Sequence, residues 1–260
     1  VIVTAGSVNV GAIDDLQALA DFARDESLWL HVDGAFGAPA VLSEVVKPRL
    51  AGLGRADSLA FDFHKWLQVN YDAGCVLIRD RDAHLRSFSE RPDYLAPHER
   101  GLAAGSPWPV DFGPELSRGF RALKVWSHIL EHGTAKLGSV ITRNCEHATH
   151  LAALVDAAEE LERLAPASLN IVVFRYTGPG PGPGPEEHPP LSPEALDDLN
   201  NEIVVRLQES GVAAPSTTKI GGKLAVRVNI TNHRTRFADL DLLVAEVQRL
   251  GAELLPRFLA

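Results

Sequence analysis

Four short apolar runs, each set off by glycine or aspartate, constrain this chain more than any other feature. Val1 to Val3 end at Ala5-Gly6, and Leu28 to Val32 close on Asp33-Gly34. Ser58 to Phe61 form the third run, and Cys75 to Ile78 follow Asp72-Ala73-Gly74. Runs this short suit strands covered on both faces. Between the first two, Leu16, Leu19, Ala20 and Ala23 recur with a helical period behind Asp14, which reads as the cap. Short buried strands joined by a helix and long loops predict an α/β layer with a mostly parallel sheet. The chain opens directly on an apolar run and contains no Met. It therefore reads as the C-terminal portion of a longer protein.

From about Pro114 the pattern turns helical. Leu116, Phe120, Leu123 and Leu130 mark one amphipathic helix, and Leu137, Ile141, Leu151, Leu154 and Ala158 a second. Leu169 to Tyr176 alternates like a strand. The Gly-Pro tract from Gly178 to Pro185 can form neither helix nor ladder, so 178–190 reads as a mobile loop. A helix (Leu196 to Leu207), a strand (Leu224 to Ile230) and a last helix (Leu240 to Leu254) follow. The expected organisation is a large-domain segment over 1–135 and a smaller α+β domain over 136–260.

Composition removes several function classes. No run approaches 18 apolar residues, which argues against a membrane span. A net charge of −9 argues against a nucleic-acid backbone as partner. Two cysteines, Cys75 and Cys145, do not make a disulfide framework, and a cytoplasmic setting is expected. His128 and His132 have the i,i+4 spacing of a metal pair, but Ile129 stands where the zinc-protease pattern needs Glu. His147 and His150 show no carboxylate partner in the sequence, so no metal site is expected.

Two positions carry chemistry jointly. Asp33 follows one predicted strand, at the edge where open α/β sheets bind ligands. Lys65, in Asp62-Phe-His-Lys-Trp66, follows the next. Separately they read equally well as a loop aspartate and a surface lysine. Together they match an aldehyde cofactor such as pyridoxal phosphate (PLP). That cofactor needs a lysine for its Schiff base and an acid for its pyridinium nitrogen. Ala35, two residues past Asp33, is small enough to admit a flat ring.

The segments His31-Val-Asp-Gly-Ala-Phe-Gly-Ala38 and Phe61-Asp-Phe-His-Lys-Trp-Leu67 resemble the group II PLP-dependent decarboxylases, relatives of the glutamate and aromatic amino-acid enzymes. Thr4 to Asp14, Phe120 to Trp126 and Leu224 to Asn229 extend the resemblance nearly end to end. It implies an aspartate-aminotransferase-like fold, PLP as cofactor, an L-amino acid as substrate and a homodimer with shared sites. Lys65 would be the Schiff-base lysine and Asp33 the partner of the ring nitrogen. Ala35 would pack on the ring, His64 would reach the phosphate or shield the lysine, and Ser7 would lie near the phenolic oxygen or phosphate. Tyr94, within Arg91 to Pro97, matches the lid tyrosine that protonates the substrate carbon after CO2 leaves. Arg227 matches an arginine that contacts a substrate carboxylate. Asp62 stands where several relatives have Asn. The residue types alone leave Tyr94 open as a packed loop tyrosine and Arg227 as a strand-face arginine. Transamination or oxidative deamination on the same fold, or a non-catalytic scaffold, are the alternatives to decarboxylation.

Overall fold

The first three apolar runs pair in parallel. In the computed structural model, which describes residues 1–88, 93–96, 98–102, 104–105, 107–179 and 191–259, they form β1 (Ile2–Thr4), β2 (His31–Asp33) and β3 (Ser58–Asp62). Thr4, Asp33 and Ala60 lie in register across the three strands. The fourth run, β4 (Gly74–Ile78), closes the edge antiparallel to β3. Parallel strands need a crossover. The first is supplied by α1 (Leu16–Asp25), which buries Leu16, Ala20 and Ala23 in one cluster with Val3, Leu30 and Val32.

The cap of α1 is Asp15, not Asp14. The Asp15 carboxylate accepts the Ala18 N–H at 3.0 Å. Asp14 is occupied with β1 instead: its N–H donates to the Thr4 carbonyl, and its carboxylate accepts the Thr4 N–H at 2.7 Å. A ladder-like pairing one residue upstream thus displaces the cap.

A helix that the apolar pattern does not signal, α2 (Arg81–Phe88), follows β4. The two helices expected after Pro114 are one element, α3 (Arg121–Ala157), broken at Gly133 where φ is 71°. Leu116 and Phe120 precede it, and Leu116, Phe120, Leu123 and Leu130 are all at least half exposed. Their stripe does not enter a core among the described residues. Beyond Gly133 the helix is well buried, placing Leu137 and Ile141 in the first core and Ala148, Leu151 and Val155 in a second.

That second core belongs to an antiparallel sheet. Its strands are β5 (Leu161–Arg163), β6 (Ile171–Tyr176), β7 (Ser216–Ile220) and β8 (Lys223–Asn229), ordered β5-β6-β8-β7. Helices α4 (Pro193–Ser210) and α5 (Phe237–Leu254) join α3 in its core cluster. Every residue of β6 is buried. Its residues Ile171 and Val173 cluster with Val10 and Phe36 from the first unit, so neither face is left to solvent. The edge strands β5 and β7 are too short or too polar to announce themselves. Of the loop expected over 178–190, residues 180–190 lie outside the described residues.

Helix α3 approaches the loop after β2 very closely. A Cβ at Gly138 would overlap the Leu42 carbonyl, and Ser43 Oγ meets Thr142 Oγ1 at 2.7 Å one turn along. Ala gains about 1 kcal/mol over Gly in a helix, but overlap with a packed backbone costs about 1–3 kcal/mol or more. Gly138→Ala should therefore lower the melting temperature by several degrees; a variant as stable as the parent would show that the helix is free to move away.

His147 on α3 is 2% exposed, its Nδ1 has no hydrogen-bond partner, and its ring stands edge-on to Phe237. Burial, with a smaller push from Arg143, holds its pKa below the usual histidine value. The native state thus refuses a proton that the unfolded chain takes up below about pH 6.5. Stability should fall as pH drops through that value, by at most about 1.4 kcal/mol per pH unit for this group. Thermal melts between pH 7.5 and pH 5.5 should show a flatter dependence in His147→Phe than in the parent.

Candidate active site

Strands β2 and β3 deliver Asp33 and Lys65 to one edge of the sheet, and a path of hydrogen bonds links them. Asp33 ends β2 with its side chain exposed, and its Oδ1 accepts the Ala35 N–H at 3.1 Å. The Ala35 carbonyl accepts the Asp62 N–H at 3.2 Å. Asp62 ends β3, and its carboxylate holds Lys65 Nζ at 2.6 Å. The Lys65 side chain is 43% exposed, so the amine remains open to solvent. Ala35 lies in the turn beyond β2, tied to Asp33 through its backbone.

His64 is oriented by its own loop. Its Nδ1 accepts the Ala73 N–H at 2.9 Å, which leaves the ring proton on Nε2 in the neutral form. The ring stands edge-on to Tyr71 with centroids 4.5 Å apart. Trp66 turns the other way. It is 1% exposed, lies flat on Phe36 with an interplanar angle of 2°, and donates from Nε1 to Asn144 Oδ1 at 3.1 Å.

Ser7 lies in the loop after β1, and Arg227 reaches the same loop from β8. The Ser7 N–H donates to the Ala12 carbonyl, and its Oγ accepts the Ala12 N–H at 3.1 Å. Arg227, on β8, donates from Nε to the Val8 carbonyl at 2.9 Å and the Asn9 carbonyl at 3.3 Å, and from Nη1 to Ser216 Oγ at 3.4 Å. Burial pulls its pKa below the usual guanidinium value. Ser168 Oγ donates to the Gly11 carbonyl at 2.8 Å, and Thr218 Oγ1 bonds Asn9 Oδ1 at 3.0 Å. The second unit therefore grips the Ser7 loop at several points.

Tyr94 stands apart. It sits in a single helical turn, Asp93–Leu95, 78% exposed. No hydrogen bond or ring contact joins it to Asp33 or Lys65 among the described residues, and Arg91 and Pro97, the ends of the expected lid, lie outside them. His150, which lacks an evident partner in the sequence, meets Asp241 at 2.7 Å across the α3–α5 contact. Sequence reasoning missed Asn144, Phe36, Gln68 and His233 as neighbours of the lysine loop. The spacing of Asn144 in phase with Leu137, Ile141 and Leu151 on the apolar stripe is the signal that was available.

An exposed primary amine and an exposed carboxylate at one sheet edge, with small Ala35 between them, fit a flat aldehyde cofactor whose ring nitrogen needs an anion. The model of the pyridoxal-dependent decarboxylase conserved domain matches residues 1–177. The chain belongs to the pyridoxal-dependent decarboxylase family. It is 37% identical to an aromatic-L-amino-acid decarboxylase of Bacillus atrophaeus, over 97% of this chain and 51% of that protein. It is 31% identical to an L-2,4-diaminobutyrate decarboxylase of Rhizobium meliloti (strain 1021), over 90% of this chain and 45% of the relative. The chain spans about half the length of the curated relatives it matches. A crystal structure of Oryza sativa TDC with PLP and tryptamine superposes with a TM-score of 0.81 at 26% identity, over 97% of this chain and 50% of that one. The fold is thus the aspartate-aminotransferase-like one of PLP-dependent decarboxylases.

In this decarboxylase-family chain, Arg227 bridges the two sheets through backbone carbonyls. A hydrogen bond to a charged group contributes about 1.5–3 kcal/mol. Arg227→Leu should therefore speed amide exchange at Gly11 and Ala12 by about tenfold or more. Unchanged exchange there would mean that the loop holds itself.

Proposed function

We propose that this chain takes part in the PLP-dependent decarboxylation of an L-amino acid to its amine and CO2. The observation that carries this reading is the bonded path from Asp33 through Ala35 and Asp62 to Lys65, with a reactive group open at each end. When bound, PLP supplies an electron sink for the electron pair that the departing carboxylate leaves behind.

The chain's own groups then divide the work. Lys65 Nζ is the amine that would hold the cofactor through its aldehyde, and Asp62 holds that amine at the strand end. Asp33 would hold the ring nitrogen in its protonated form, since a carboxylate favours a neighbouring cation. Ala35 leaves room for the ring, and His64 presents Nε2–H for the phosphate or as a shield over Lys65. Ser7, whose oxygen already accepts the Ala12 N–H, has its hydroxyl proton to offer the phenolic oxygen or phosphate. Tyr94 delivers the proton that replaces CO2 on the substrate carbon once the exposed turn folds over the site. Arg227 braces the Ser7 loop, and in this reading also reaches the substrate carboxylate.

The likeness to the Bacillus enzyme supports an aromatic L-amino acid as substrate. The resemblance to homodimeric decarboxylases, together with the exposed Phe120, Leu123, Trp126 and Leu130, supports a homodimer. No helix among the described residues is long and apolar enough to cross a membrane. Two free thiols, Cys75 and Cys145, support a cytoplasmic location. We read 1–135 as part of the large cofactor domain and 136–260 as the small domain.

Incubating the holoenzyme with a panel of L-amino acids should release CO2 and an amine from an aromatic member; release from none would overturn the reading. Lys65→Ala should lose the visible absorbance of bound PLP. Asp33→Asn should retain PLP but lose about 10²-fold or more in turnover. In air, Tyr94→Phe should shift product from amine toward aldehyde, with dioxygen as the oxidant and ammonia and hydrogen peroxide released alongside; an unchanged amine yield at the parent rate would reduce Tyr94 to a packing residue.

A further inference from the structure

We propose that Asn144 is a positioning residue for Lys65, acting through the indole of Trp66; this rests on Lys65 being the cofactor-binding amine. Lys65 is half exposed and gains little orientation from packing of its own. The residue after it is among the most buried in the molecule. Trp66 and Asn144 are each 1% exposed, and the 3.1 Å bond from the indole N–H to Asn144 Oδ1 lies wholly inside the protein.

A buried indole N–H without an acceptor is costly. Asn144 therefore admits one orientation of the ring, since a flipped indole would bury its N–H unpaired. The same ring lies flat on Phe36, centroids 5.1 Å apart, and Phe36 adjoins Ala35 in the turn after Asp33. One orientation of Trp66 thus sets the backbone from which Lys65 projects, and sets it relative to Asp33.

The other side of Lys65 is held from the same quarter. Gln68 adopts a left-handed backbone with φ of 58°, uncommon for a residue with a side chain. Its amide donates from Nε2 to the Thr231 carbonyl at 2.6 Å, and its Oε1 faces His233 Nδ1 at 2.8 Å. Asn144 Nδ2 donates to the Asn232 carbonyl at 3.3 Å. Residues Thr231 to His233, after β8, therefore anchor Trp66, through Asn144, and Gln68, the residues one and three positions past the lysine.

A merely structural pair and a positioning pair respond differently to removing both polar partners. Replacing both with apolar groups leaves neither an orphaned indole donor nor an orphaned amide oxygen, so the two substitutions together should cost less than the sum of each alone. We would compare Asn144→Leu, Trp66→Phe and the double variant in the holoenzyme. The readouts are the melting temperature, the pH midpoint of the visible cofactor band, and kcat and KM for decarboxylation. The single variants should melt lower. The double variant should melt higher than the summed losses predict while its band midpoint stays displaced. Its kcat should stay about tenfold low with KM nearly unchanged, as expected of a misaimed group. If band midpoint and kcat return with the melting temperature, Asn144 serves stability alone and the proposal is overturned. If Asn144→Leu does not fold, Trp66→Phe and the double variant decide by the same criteria. Lys65→Ala is run alongside. Retention of a borohydride-reducible adduct there would overturn the assignment of Lys65 itself, a failure distinct from an intact Lys65 with an indifferent Asn144.

Discussion

Much of the arrangement depends on the hydrogen bond from the Asp62 N–H to the Ala35 carbonyl. It continues the parallel pairing of β2 and β3 past the last laddered residues and binds the two strand ends that carry the candidate site. A slip of one residue in that register would send alternate side chains to the opposite face. Asp62 would then no longer hold Lys65 beside the turn that carries Ala35. Parallel pairing is what makes the site possible, because it brings the C-terminal ends of β1, β2 and β3 to one edge.

Strand ends alone would leave mobile loops, and the second sheet supplies the restraint. Arg227, Ser168 and Thr218 hold the loop after β1. Asn144, Thr231 and His233 hold the loop after β3. Many of these contacts are to backbone carbonyls, which fix the path of a loop without competing for side chains that a cofactor would need. Helix α3 makes the coupling stiff. It packs on the first unit at Gly138 and Ile141 and on the second at Leu151 and Val155, so the two cores share one rigid element.

The apolar groups left outside are informative too. Phe120, Leu123, Trp126 and Leu130 lie before or around the break at Gly133, all at least half exposed. Beyond the break, Leu137 and Ile141 are buried. Gly133, with its positive φ, marks where the helix passes from an uncovered to a covered environment.

Strands β1 to β4, the α1 period and the family were legible in the residues themselves, because short apolar runs and motifs are local patterns, but the two-sided burial expected of the fourth run fails: β4 is an edge strand with Val76 and Leu77 about half exposed. Helix α2 and strands β5 and β7 were not legible, since their residues lack the apolar period that burial imposes. The α1 cap fell one residue away because a backbone pairing with Thr4 claimed Asp14, a contact invisible in a linear pattern. The same limit applies to the site. Residue type nominates Lys65, but the partners that hold its loop are Phe36, Asn144, Thr231 and His233, drawn from 29 to 168 positions away. Chemistry is written in single side chains and short motifs, so the sequence alone determined the family and the candidate groups. Orientation is set by packing between distant segments, and only the tertiary structure decided how those groups are aimed.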